Sequence, residues 1–280
     1  MSLFKPNIPA LKAKRDLAGL LLILKSKDAL ARRDAIKAFG DLGARSVVPA
    51  LIQVLLADNL DVPEKADTAT ALGAIGDADA IDALVQANAI SHTRERRMIE
   101  TATTAPNRKY HEGFYITRIA TDEYLFRSAR AHALARIGGA RALNALFDAL
   151  ASEAGQMANQ VKREIQQAIQ TAVQTRAPEI LAILIEKLKD KSPDVRHWAV
   201  HCLSDWGDPE IADTFVTIAC DEDEAYPVRE AALMGLGEIG DRRALPFLED
   251  LLKSGNRGIA HDADSSATRI RERHPRAPQI

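Results

Sequence analysis

The sequence predicts an all-α solenoid of about eight helical-pair repeats of roughly 31–35 residues, and three observations carry that prediction. The strings Phe39-Gly40-Asp41-Leu42-Gly43, Leu72-Gly73-Ala74-Ile75-Gly76 and Leu236-Gly237-Glu238-Ile239-Gly240 are one motif written three times. Aligned on Gly40, the same slot falls on Gly73, Thr104, Ala135, Gln170, Ser204 and Gly237, in steps of 33, 31, 31, 35, 34 and 33 residues, with a degraded copy near Arg271. Apolar residues make up 46% of the chain and aromatics only 5%, so the good helix formers Ala and Leu dominate. A chain of 280 residues exceeds the usual size of one hydrophobic core, which a repeat array accommodates.

Each unit holds two helical patterns. The first is short and apolar, as in Val47–Leu56, Ala80–Leu84, Ala142–Phe147 and Ala244–Leu248. Pro49 and Pro246 share one slot near its start, where a missing N–H is tolerated. The second pattern is clearest in Ser192–Asp208, where Ser192-Pro193-Asp194 offers a cap, a first-turn proline and a first-turn carboxylate. Gly43, Gly76, Gly138, Gly207 and Gly240 are placed to end these helices at φ > 0. Within the second helix one slot is always small (Ala38, Ala71, Ala102, Ala133, Ala168, Cys202, Gly235), letting neighbouring helices approach. The next is large (Phe39, Leu72, Leu134, Ile169, Leu203, Leu236), with Thr103 the exception. Trp206, three positions after Leu203, falls in a core slot.

The array is read as one domain over 1–280, with an entry segment at 1–13, an irregular aromatic-rich segment at 105–123 and a degraded capping repeat at 256–280. Tyr110, Phe114, Tyr115, Tyr124 and Phe126 lie in or just beyond that irregular segment, either as a recognition element or as rings refilling a distorted core. Asp262, Asp264, Ser265, Ser266, Arg269 and Arg271 would give the last repeat a polar outer face.

A formal charge of −2 supplies no chain-wide positive field for nucleic acid. No run is apolar enough to span a bilayer, and the first residues lack a secretion signal. Cys202 and Cys220 form neither a disulfide framework nor a Cys-x-x-Cys motif, so cytoplasm is the expected location. No nucleophile–base set, phosphate loop or paired catalytic carboxylates can be read, so no catalytic residue, metal or cofactor is assigned.

The strings Asp194-Val195-Arg196…Ala199…Leu203…Gly207-Asp208 and Val228-Arg229-Glu230-Ala231-Ala232-Leu233-Met234-Gly235-Leu236-Gly237-Glu238-Ile239-Gly240-Asp241 resemble the short HEAT-like repeats of phycobilisome (bilin) lyases. The opening Lys5-Pro6-Asn7…Leu11-Lys12-Ala13-Lys14-Arg15-Asp16-Leu17 is similar to the entry segment of prokaryotic proteins built of these repeats. The resemblance implies a right-handed α-α superhelix whose second helices line a concave groove. It also implies two functional classes: a scaffold for a protein or peptide partner, or a subunit of a bilin lyase or related chromophore-handling enzyme, which pairs with a second solenoid subunit as a hetero-oligomer. Deoxyhypusine hydroxylases, also HEAT-like, hold iron through His-Glu pairs at second-helix slots. Here His197 is followed by Trp198 and Glu230 is preceded by Arg229, so that pattern is missing.

Arg32, Lys65, Arg96, Arg127, Lys162, Arg196 and Arg229 form a basic column, which is either a ladder for an acidic protein segment or phosphates, or a set of structural pairs in which each cation meets an Asp, such as Asp41, Asp77, Asp208 and Asp241, or a helix-end carbonyl of a neighbouring repeat; the structural reading is the better fit. The slots that follow are varied, as recognition surfaces are and packing surfaces are not. From them, and from the column, come the expected partner-binding residues Arg127, His132, Arg163, His197, Trp198 and His201, with Tyr110 and Tyr115 from the aromatic segment. His197 and His201 share a helical face, but without a His-Glu-x-x-His arrangement they are read as groove histidines rather than metal ligands.

Overall fold

The computed structural model describes residues 7–57, 61–104, 112–153 and 157–273, and among these every regular element is a helix. The contacts cluster into two compact units, Met1–Ala172 and Val173–Ile280. The first opens with α1 (Ile8–Ala13). It continues as pairs: α2 (Leu17–Ile23) with α3 (Ala29–Leu42), α4 (Val48–Leu56) with α5 (Val62–Ile75), α6 (Ile81–Thr104) with α7 (Glu112–Ile137), and α8 (Gly139–Ser152) with α9 (Ala158–Val173). The second holds α10 (Pro178–Lys187) with α11 (Pro193–Trp206), α12 (Ala212–Cys220) with α13 (Tyr226–Ile239), and α14 (Leu245–Leu251) with α15 (Arg257–Arg273). The described residues thus form seven helix pairs, not about eight.

The missing pair is the one expected to close at Thr104. Between Ile81 and Thr104 the chain contains neither Gly nor Pro, so nothing stops the first helix, and α6 runs on as one rod of 24 residues. The second-helix position is then taken by α7, 26 residues long, which packs directly along α5 as α5 packs along α3. The apolar period had already lapsed there, at Thr103, so the copy expected at Ala102-Thr103-Thr104 is no second helix of the stack.

Successive second helices meet through one recurring contact. A Cβ placed on Gly40 would lie 2.9 Å from Ala71 Cα, and one on Gly73 would lie 2.5 Å from Ala133 Cα. In the second unit, a Cβ on Gly235 would collide with Ser204 Oγ, and one on Gly237 would lie 3.2 Å from Ser266 Cα. In each case the slot aligned on Gly40 rests on the small slot of the next second helix. The large slot beside it is buried, with Phe39, Leu72, Leu134, Ile169 and Leu203 all at 0% exposure.

Local signals agree with the expected boundaries. Gly43, Gly76, Gly138, Gly207 and Gly240 all take positive φ, between 61° and 77°, at or just after the ends of the second helices. Pro49 and Pro246 sit in the first turns of α4 and α14. Ser192 holds the N-cap position of α11 but its side chain caps nothing; Pro193 and Asp194 remain as the start signal. Two packing expectations need correction. Trp206 is half-buried, with the Arg176 guanidinium 5.6 Å from its ring centroid, because its slot lies at the open end of α11. Ser266, expected on the polar outer face, is buried and donates to the Leu233 carbonyl at 2.8 Å, since it occupies the small slot against Gly237. The outer face of α15 does carry charge, Arg269 and Arg273 pairing with Glu238 and Arg271 with Glu249. No helix among the described residues is long and apolar enough to cross a membrane.

Gly73→Ala is expected to destabilise the fold by about 1–3 kcal/mol through overpacking, and Leu203→Ala by about 2–5 kcal/mol through the cavity it leaves. Gly255→Ala, with nothing within 4 Å of the added methyl, is expected to change stability by less than about 0.5 kcal/mol. Urea unfolding midpoints of the three variants check the order.

Candidate functional site

At Arg32, Arg127, Arg196 and Arg229 the basic column is structural. Arg32 donates from Nε and Nη2 to the two oxygens of Glu64, both at 2.8 Å, and from Nη1 to the Ser26 carbonyl at 2.9 Å. Arg196 repeats this geometry, with Nε and Nη2 to Glu224 at 2.7 and 2.6 Å and Nη1 to the Asp190 carbonyl at 2.7 Å. In both cases the carbonyl lies six residues back, in the turn that enters the second helix, and the carboxylate comes from the next repeat. Burial works against the charged form of Glu224, but the Arg196 bonds and the Ala225 N–H outweigh it and hold the carboxyl below its ordinary range. Arg229 donates to the Ala219 carbonyl at 3.0 Å. For Arg32, Arg127 and Arg196 the carboxylate partner is a glutamate where an aspartate was expected, and the expected backbone carbonyls are met at Arg32, Arg196 and Arg229. Asp77, Asp208 and Asp241 instead cap the short turns ahead of α6, α12 and α14, and Asp41 pairs with Lys12.

Arg127 belongs to this set and not to a groove. It is 1% exposed and donates from Nη1 to Glu153 at 2.9 Å, because the column points between helices rather than away from them. Arg130, one turn on, is equally buried, and burial pushes its guanidinium down to about 10, with Glu153 opposing and Arg127 adding to the shift. It remains a cation at neutral pH.

His132, Arg163, His197, Trp198 and His201 are half-buried or exposed side chains of second helices, in two separate groups. In the first unit, His132 Nε2 lies 2.9 Å from Glu164 Oε2, and the Tyr124 hydroxyl donates to Glu164 Oε1 at 3.0 Å. Tyr124, Ser128 and His132 are spaced four apart on one stripe of α7; Tyr124 and His132 hydrogen-bond the Glu164 carboxylate of α9, and Ser128 also favours its charged form. The His132 hydrogen bond, with Tyr124, Ser128 and the His132 charge, holds the Glu164 carboxyl below its ordinary range against the effect of burial. The same carboxylate pushes the Tyr124 hydroxyl up, chiefly through their hydrogen bond, and the charge of Arg163 opposes it. Arg163 itself is exposed. Tyr110 lies outside the described residues, and Tyr115 is carried in α7 near its start. Convergence on Glu164 is not expected from the repeat pattern; its signal in the sequence is the polar i, i+4, i+8 stripe Tyr124-Ser128-His132.

In the second unit, His197 Nδ1 lies 2.8 Å from the Pro227 carbonyl, and since a carbonyl only accepts, Nδ1 carries the proton. Trp198 is half-buried, its ring centroid 4.6 Å from that of His201 and 6.3 Å from that of His197. Its Nε1 is buried with no acceptor among the described residues. His201 is 44% exposed, with Nδ1 3.8 Å from Asp205. Cys202, behind this face, has its thiol pushed up to about 12 by burial and then by Asp205, so it stays a neutral packing residue. Among the described residues no group of three or more His, Cys, Asp or Glu side chains is arranged to hold a metal ion.

Comparison with known proteins agrees with this architecture. The family of HEAT repeats matches residues 17–103, 158–221 and 181–264, and the chain belongs to it. The unmatched residues 104–157 contain α7, the helix that departs from the regular period. The phycocyanobilin lyase subunit alpha of Synechococcus elongatus is 39% identical over 92 residues, 30% of this chain and 33% of that protein, so the chain spans about a third of its length. Among solved structures, the complex of CpcE and CpcF of phycocyanin lyase from Nostoc sp. PCC7120 is 18% identical with a TM-score of 0.40, covering 91% of this chain and 94% of that one. Human deoxyhypusine hydroxylase is 15% identical with a TM-score of 0.37 (95% and 88% covered), and Kap121p is 15% identical with a TM-score of 0.45 (94% and 30% covered).

The Glu164 carboxyl has a folded pKa below its unfolded one, so its contribution to stability is complete above the ordinary carboxylate value and is lost as pH falls through the depressed folded value. Glu164→Gln removes that titration. Urea midpoints followed from about pH 6 to about pH 3 are expected to fall more steeply in the unsubstituted chain than in the variant; parallel curves would contradict the coupling.

Proposed function

We propose that the chain is a noncatalytic HEAT-repeat scaffold that binds a protein or peptide segment in the concave groove lined by its second helices. The observation that carries this reading is the contrast between neighbouring slots. The small and large slots and the basic column are committed to packing, whereas His132, Arg163, His197, Trp198 and His201 leave polar edges and one aromatic face turned outward. A half-buried tryptophan between two histidines is the amphipathic kind of residue that anchors an interface. In the first unit, Lys37, Asp67, Thr70 and Arg136 line a groove of about 630 Å³ along the second helices, which supports the same reading. Repeats that present an extended surface and no enclosed pocket suit a binding role. The reading includes a cytoplasmic location and a polypeptide rather than nucleic-acid partner, in keeping with the balanced charge.

The 39% identity to a phycocyanobilin lyase alpha subunit favours a second reading, in which the chain is one subunit of a bilin lyase or related chromophore-handling enzyme and works as a hetero-oligomer. Visible absorbance of a bilin coexpressed with the chain, bound or transferred to a cysteine of an acceptor protein, would separate the two. A colourless chain that still captures a partner supports the scaffold.

Affinity capture with mass spectrometry tests the leading reading. Arg163→Ala, His201→Ala and Trp198→Ala are each expected to weaken retention of the captured partner, Trp198→Ala by about tenfold or more. A partner retained equally by all three would contradict it.

A further inference from the structure

The long hairpin of α6 and α7 builds a pocket that a regular repeat would not supply. Met98 of α6 and Ile119 and Asp122 of α7 face the first turns of α3 and α5 across a cavity of about 290 Å³, lined there by Leu30 and Asp61. Its apolar part is open to water, Leu30 being 70% exposed and Met98 38%. A leucine left this exposed beside other apolar groups is surface that a partner would desolvate favourably.

The charges around that floor are unevenly matched. Asp61 stands at the N-cap of α5, yet its side chain caps no amide. Asp122 is half-buried and in no ion pair with a described residue. Of the other charged groups lining the cavity, Arg33 is held by Asp67 at 2.6 Å, and Glu123 is buried and engaged elsewhere. Arg118, exposed, is the remaining cation, so the two carboxylates keep one net negative charge over an apolar floor.

We propose that this pocket takes a lysine or arginine side chain of a polypeptide partner. Long basic side chains combine an aliphatic stem with a charged head, and the stem lies here on Leu30, Met98 and Ile119 while the head meets Asp61 and Asp122. A purely apolar occupant would bury these carboxylates without compensation, and an anion would be repelled by them. The site uses none of His132, Arg163, His197, Trp198 or His201, so its failure and that of the second-helix faces are separately visible.

The test is selection of a random peptide display library on the full chain, followed by fluorescence anisotropy with the enriched peptides. Enriched peptides are expected to carry Lys or Arg beside an apolar residue. Their affinity is expected to fall about tenfold with Asp61→Asn/Asp122→Asn, to fall likewise when norleucine replaces the peptide lysine, and to weaken with added salt. Enrichment of acidic or purely apolar peptides, equal binding by the double variant, or no enrichment at all would overturn the proposal.

Discussion

One contact recurs within each unit of this fold: the slot aligned on Gly40 in a second helix rests on the small slot of the second helix that follows. It is seen as Gly40 on Ala71, Gly73 on Ala133, Ser204 on Gly235 and Gly237 on Ser266. Each instance allows two helix backbones to approach more closely than larger side chains permit, and the large residue beside it is buried as a result. A solenoid has no single core to average over its errors, so each interface must close by itself. That explains why the small slot tolerates Ala, Cys, Ser and Gly but nothing bulkier.

The basic column works beside this contact and limits where recognition can occur. Arg32 and Arg196 each tie the turn entering their own helix to a glutamate of the next repeat, and Arg127 reaches Glu153 from a fully buried position. Desolvation offsets much of the attraction in such pairs, so their role is to fix the register between repeats more than to add net stability. With Arg32, Arg127, Arg196 and Arg229 so engaged, the proposed binding surfaces fall to the variable side chains of the second helices and to those around α6 and α7. At α6 and α7 the array departs from its period and gains a cavity with its own chemistry.

Most of the fold was legible in the sequence because a repeat states its rules several times. The closing glycines, the first-turn prolines and the alternation of small and large slots each recur, and each is found where the period places it. The extra repeat assigned at Thr104 came from extending that period through a stretch with no helix stop, where Thr103 was already a misfit. The candidate sites were less legible, because they depend on contacts between helices distant in sequence. Ser266 was misassigned because its small slot had degraded beyond recognition, and the convergence of Tyr124, Ser128 and His132 on Glu164 crosses from α7 to α9. Arg127 was placed on a surface because a cation in a helical stripe reads the same whether its carboxylate lies in solvent's reach or in the core.

The most direct test of the central contact is nuclear Overhauser spectroscopy on chain labelled at its alanine methyls. With α7 stacked directly on α5, the Ala133 methyl is predicted to show a strong cross-peak to the Gly73 Hα protons. A cross-peak from Gly73 to Ala102 in its place would mean that the period runs unbroken through Thr104, and would contradict the account.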